Sequence, residues 1–167
     1  SGTSNTIFGK SAGASLDAGS NYNVFIGENV SDATMNDATN NVGIGYSALS
    51  ALTTGDNNTS VGYSALSGVV GGSQNTTVGS SAGLAITSGN NNVALGHHAL
   101  LDIIDGNQNI AIGSFALGGA LGGTADGSAD NVVIGYSAGS GNWADQDCSN
   151  LVVIGSGAMQ GALAGDT

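Results

Sequence analysis

A β-branched or other apolar residue followed by glycine returns nine times along the 167-residue chain, at Gly9, Gly27, Gly45, Gly62, Gly79, Gly96, Gly113, Gly135 and Gly155. The steps between them are 18, 18, 17, 17, 17, 17, 22 and 20 residues. So short and regular a period is the signature of a coil-by-coil solenoid, in which each turn packs only on its neighbours. A chain of this length ordinarily makes one domain. Here that domain, residues 1–167, would be built around a thin continuous column.

Counting each of these glycines as position 0 exposes the ranks. Position −3 holds Thr6, Val24, Val42, Thr59, Thr76, Val93, Ile110, Val132 and Val152, and position −1 holds Phe8, Ile26, Ile44, Val61, Val78, Leu95, Ile112, Ile134 and Ile154. In a strand of period two both ranks face one way, and the mixed residues at −2 face the other. Position +3 is Ala12, Val30, Ala48, Ala65, Ala82, Ala99, Ala116, Ala138 and Ala158. Such a small rank suits close packing against another backbone, across the coil or across a subunit boundary. Leu52, Val69, Ile86 and Ile103 recur at +7 and are expected to be the inward side chains of a second short strand in each coil. Helix is not expected beyond a single turn.

The turns keep the same register. Gly55-Asp56-Asn57-Asn58, Gly72-Ser73-Gln74-Asn75, Gly89-Asn90-Asn91-Asn92 and Gly106-Asn107-Gln108-Asn109 occupy one place in four successive coils. Glycine and asparagine both tolerate left-handed backbone, and asparagine also bonds local peptide groups. At −4 stand Asn5, Asn23, Asn41, Asn58, Asn75, Asn92, Asn109 and Asn131, while Asn150 falls at −5 in the last coil. Stacked at a strand spacing of about 4.8 Å, these side chains would form an internal amide ladder along a rod roughly 40 Å long.

Composition narrows the function. Thirty glycines without a proline or a three-residue period exclude collagen. Twelve acidic residues against one lysine give a net charge of −11, which disfavours nucleic acid and anionic membranes as partners. No apolar run is long enough for direct membrane insertion, and no signal peptide is visible. The opening Ser1-Gly2 is compatible with a cloning remnant, which would place a targeting segment outside this sequence. Cys148, the single cysteine, cannot make an internal disulfide.

The repeat Asn-x-x-Ile-Gly-x-x-Ala, as in Asn41-Val42-Gly43-Ile44-Gly45-Tyr46-Ser47-Ala48 and Asn109-Ile110-Ala111-Ile112-Gly113-Ser114-Phe115-Ala116, resembles the head repeat of trimeric autotransporter adhesins (YadA-like). It is also similar to repeats in phage tail fibres and related bacterial surface trimers. The resemblance runs from Asn5 to Ala158 and departs from the family in its longer 17-residue period and its two expanded coils. It implies an all-β left-handed parallel β-roll of about nine coils. It further implies a homotrimer at a cell surface or virion tail that recognises a host, prey or matrix ligand and performs no chemistry. The residues argue for self-association independently, because 40% of them are apolar and one narrow coil leaves apolar ranks over, which a closed cyclic assembly would bury. Three parallel chains in register are expected to bury the Ala rank and one apolar stripe. Lys10 is the only basic partner for an ion pair. A spacer that projects another binding domain is the alternative role.

Catalytic and metal motifs are missing: no HExxH, Walker loop, dinucleotide fingerprint or G-x-S-x-G elbow occurs. No cofactor is expected, and neither is a metal. His97-His98 is the only histidine pair, and on extended backbone its rings would point to opposite sides, so one ion could not take both from one chain. Scattered threonines exclude an ice-binding face. The aspartates sit mainly in variable turns, which reads as a solvated acidic surface, although clustered carboxylates in the larger loops could take calcium.

Those loops are the candidate ligand site. The coils after Gly113 and Gly135 extrude extra residues at 118–131 and 140–150, commonly the binding face of a solenoid. They carry Asp126 and Asp130 in the first and Asn142, Trp143, Asp145 and Asp147 in the second. A lone tryptophan beside amide and carboxylate groups suits a glycan, with a protein ligand as the other choice. The competing role for Trp143 is to cap the end of the apolar column or plug a subunit boundary.

Overall fold

A computed structural model describes residues 2–118, 127–141 and 148–160. Nine three-residue strands lie in it: β1 (Thr6–Phe8), β2 (Val24–Ile26), β3 (Val42–Ile44), β4 (Thr59–Val61), β5 (Thr76–Val78), β6 (Val93–Leu95), β7 (Ile110–Ile112), β8 (Val132–Ile134) and β9 (Val152–Ile154). They form one parallel sheet in chain order, each strand pairing with the next. The pairing sets Val42 against Thr59 and Ile44 against Val61, so the glycine period is the sheet register. The chain is an all-β parallel solenoid, with no helix among the described residues.

Positions −3 and −1 do share a face, and it is the outer one. In β2, β3, β4, β6, β7 and β8 the central residue is buried and its two neighbours are half-buried. The interior therefore receives Phe25, Ser60, Thr77, Ala94, Ala111, Val133 and Val153 from the sheet. Size is balanced between neighbouring coils. Phe25 packs beside Gly43, where an added Cβ would lie 2.6 Å from Val30 Cγ1 and 3.4 Å from Phe25 Cδ1, so the aromatic ring uses the volume the glycine gives up.

The expected second strand is not formed. The segment after each glycine turns instead, because positions +2 and +4 adopt left-handed backbone: Ser47 at φ 53° and Leu49 at 56°, His98 at 55° and Leu100 at 54°. Two such residues, one apart, cannot propagate an extended strand. They bend the chain so that Leu49, Leu66, Leu100 and Leu117 join Leu52, Val69, Ile86 and Ile103 in the core. Burial of these side chains offsets the backbone cost of the turns. Coil-to-coil hydrogen bonds continue through them, from Leu49 N to Ala65 O (3.2 Å) and from Leu66 N to Ala82 O (2.9 Å). The Ala rank is also consumed here. Ala48, Ala65, Ala82, Ala99, Ala116 and Ala138 are fully buried within the single chain, which corrects the expectation that a subunit boundary would bury them.

The asparagine ladder forms as the spacing predicts. Asn75 donates its backbone N–H and its Nδ2 to Asn58 Oδ1 (3.0 and 3.1 Å) and a second Nδ2 hydrogen to Gly89 O (2.8 Å). Asn41, Asn58, Asn92 and Asn109 repeat the pattern, the last reaching Ser128 O. In the final coil Leu151 takes the ladder position and donates its N–H to Asn131 Oδ1 (3.0 Å). Asn150 stands on the corner before it at φ 62°, as Asn40, Asn57 and Asn91 do in their coils. Gly45, Gly62, Gly79, Gly96 and Gly113 hold φ between 127° and 141°. A Cβ at Gly79 would sit 2.5 Å from Gly96 O, so each coil closes on the backbone of the next.

Candidate functional site

Two surfaces run the length of the solenoid, and both are built by register. The first is the outer face of the sheet, lined by the −3 and −1 ranks. Only aliphatic, threonine and one phenylalanine side chains stand there, and none carries a charge. At β1 and β9 Phe8, Val152 and Ile154 are exposed by 75%, 71% and 66%, where no further strand among the described residues covers them. Among the inner strands β2 to β8, β5 alone has both outward residues, Thr76 and Val78, exposed.

The second surface is the rank at +1, just past the glycine corner. Backbone bonds from Ser64 N to Tyr46 O, Ser81 N to Tyr63 O, His98 N to Ser80 O, Phe115 N to His97 O and Ser137 N to Ser114 O, all between 2.8 and 3.0 Å, set these residues one above another. The side chains meet accordingly. Lys10 and Glu28 make a 3.1 Å ion pair, both exposed. Tyr46 and Tyr63 stack with ring centroids 5.4 Å apart and 10° between planes. Ser80, His97, Ser114, Tyr136 and Ser156 complete the row. Its signal was present in the sequence as a shared offset from glycine, yet it becomes a surface only once residues 17 apart are stacked.

The histidines correct the expectation of opposed rings. They sit in the left-handed turn rather than on a strand, and their rings stack face to face with centroids 3.8 Å apart. Phe115, one coil on, meets both edge-on at 5.2 and 5.1 Å. Burial, and then the neighbouring His97, hold the His98 imidazole below its ordinary range, with Asp102 acting in the opposite direction. Among the described residues no three His, Cys, Asp or Glu side chains gather as a metal site requires.

Of the loop residues singled out by sequence, Asp126, Asn142, Trp143, Asp145 and Asp147 lie outside the described residues. Asp130 is exposed on the corner at φ 59° and donates its N–H to Asn107 O (3.0 Å). Other turn aspartates tie successive coils together: Asp56 Oδ1 accepts from Thr39 N (2.6 Å) and Oγ1 (2.9 Å), and Asp105 Oδ1 accepts from Thr87 Oγ1 (3.0 Å). Hydrogen bonds from Ser20 hold the Asp17 carboxyl below the usual range against a smaller opposing effect of burial. A stack of coils in one parallel register, with a continuous apolar face and a parallel side-chain row, defines a β-solenoid repeat protein. No family model, curated protein or solved structure matches this chain.

Proposed function

We propose that this chain is a non-catalytic fibre module that assembles as a parallel homotrimer and recognises a ligand on a host, prey or matrix surface. The outer face of the sheet carries the reading. It offers two uncharged ranks on nine strands, a strip roughly 40 Å long, and an apolar patch of that extent on a free chain is characteristic of an interaction surface. A second and third copy are the natural cover. A chain of net charge −11 with one lysine can bury its own neutral face without bringing carboxylates together, and parallel solenoids present the same strip three times around one axis. Left-handed winding and placement at a cell surface or virion tail belong to the same reading, supported by the likeness of the repeat to trimeric adhesin heads.

Sedimentation or light scattering tests the assembly: three times the 16.0 kDa chain mass is expected, and a monomer at micromolar concentration refutes it. An Ile112→Asp substitution, which puts a charge within the strip on β7, should dissociate the trimer without unfolding the coils. A glycan array and a pull-down from cell surfaces test recognition. A stable trimer that binds in neither assay would leave the spacer role instead, which the uniform rod-like repetition of the coils favours.

A further inference from the structure

We propose that the gap at Ser80 in the +1 row is a binding place for the ring of a neutral glycan, with Tyr63 as its stacking platform and His97 as its hydrogen-bonding wall. The proposal rests on the adhesive reading and gives it a ligand class and a position.

The row is occupied by contacting partners wherever neighbouring coils supply them. Lys10 meets Glu28, and Tyr46 meets Tyr63. Beyond Tyr63 the next coil supplies Ser80, whose short side chain cannot cover the Tyr63 ring, and the coil after that supplies His97. Tyr63 is accordingly more exposed than Tyr46, at 59% against 46%.

Two coils span roughly 10 Å, so a ring over Ser80 would lie about 5 Å from the Tyr63 ring, within the 4.5–7 Å of a stacked pair. His97 stacks on His98 in its own coil and meets Phe115 of the next coil edge-on. His97 is the next member of the row beyond Ser80, and an imidazole ring offers two nitrogens that can bond hydroxyl groups. Ser80 itself is half-buried and brings a hydroxyl group to the same place in the row. A flat apolar face beside hydroxyl and imidazole groups matches a saccharide ring, which is apolar on its faces and hydroxylated around its rim. From Tyr46 to Tyr136 the row contains no Lys, Arg, Asp or Glu, and the chain as a whole repels anions at −11. Sulfated, uronic and sialylated chains are therefore disfavoured, leaving neutral sugars. A subunit boundary is the other occupant to weigh. The row changes from ion pair to stacked rings to hydroxyl within five coils, whereas the −3 and −1 ranks are uniform, as a repeated self-contact needs.

The test applies the wild-type protein and the variants Tyr63→Ala, Ser80→Tyr and His97→Ala to one array of neutral gluco-, manno- and galacto-oligosaccharides with sialylated and sulfated controls. Adhesion to whole cells and assembly mass are measured in parallel. Ser80→Tyr fills the gap with a ring of the protein's own, and His97→Ala guards against a variant that fails to fold. The expected result is binding confined to neutral glycans, at least tenfold weaker for Tyr63→Ala, Ser80→Tyr and His97→Ala, with constant assembly mass. Wild-type binding to anionic glycans only, or equal binding by Tyr63→Ala and Ser80→Tyr, overturns the proposal. A Tyr63→Ala change in assembly mass also overturns it, because the row would then be covered by a second copy. Cell adhesion without neutral-glycan binding overturns this inference alone, and loss of both overturns the adhesive reading with it.

Discussion

Replacing Asn75 with alanine should destabilise the centre of the solenoid far more than an ordinary surface change, because its amide serves three coils at once. Its Nδ2 is the hydrogen-bond donor to Gly89 O at 2.8 Å, and its Oδ1 accepts from Asn92 N at 3.0 Å. Both bonds vanish in the variant. Asn58 Oδ1 keeps the Asn75 backbone N–H, and Asn92 Nδ2 loses its 3.0 Å bond to Asn75 Oδ1 but keeps Gly106 O at 2.8 Å, so the main damage is two orphaned backbone groups. At about 1–3 kcal/mol for each buried unsatisfied group, the loss is about 2–6 kcal/mol. Coils that contact only their neighbours need not unfold in one step. The assay is therefore urea unfolding combined with amide hydrogen exchange. The Asn92 amide should lose protection first, while the Asn41 amide, two rungs away, changes little. Asn75→Asp keeps the acceptor for Asn92 but turns a carboxylate oxygen toward Gly89 O, so at neutral pH it should be at least as damaging and should recover as the carboxyl protonates. A stability change under 1 kcal/mol for Asn75→Ala, with Asn92 exchange unaltered, would refute the ladder as a structural element.

Thr77 Oγ1 is the one buried side-chain polar atom among the described residues without a hydrogen-bond partner, so Thr77→Val should raise stability by about 1–3 kcal/mol in urea titrations. Ser60, one coil earlier on the same inward rank, donates to Ala65 O at 2.7 Å, and Ser60→Ala should instead lower stability by about 0.5–1.5 kcal/mol. Gly79→Ala meets Gly96 O at 2.5 Å, whereas at Gly155 the added Cβ meets, among the described residues, only Ala158 Cβ at 3.6 Å. Both share a backbone strain of about 1–3 kcal/mol, and thermal melting should show Gly79→Ala as clearly the worse. The His98 imidazole sits below its ordinary range in the fold, so the unfolded chain binds the proton more readily and His98 contributes stability above pH ~6.5 that is lost as pH falls through its folded value. Melting temperatures measured from pH 7.5 to 5 should therefore drop, and His98→Asn, which tolerates the left-handed turn at φ 55°, should flatten that drop.

The glycine period, the asparagine ladder and the parallel all-β architecture were legible in the chain because each is enforced locally and identically in successive coils. Gly62 and Gly79 mark places where a side chain would strike the next backbone, and Asn58 and Asn75 mark a corner whose amides need a partner 17 residues away. Three things were decided only by the tertiary structure. Alternation in β3 separates Val42 and Ile44 from Gly43 but does not say which side is inward, and closure of the coil by the left-handed Ser47 and Leu49 turns the glycine, not the aliphatic pair, to the core. The same closure replaced the expected second strand with a turn and drew the Ala rank inside, because the +4 leucines fill the column only if the backbone bends there. The ring row of Tyr46, Tyr63 and His97 is likewise a property of stacking: its members are dispersed in sequence, and the parallel register brings them onto one line of surface.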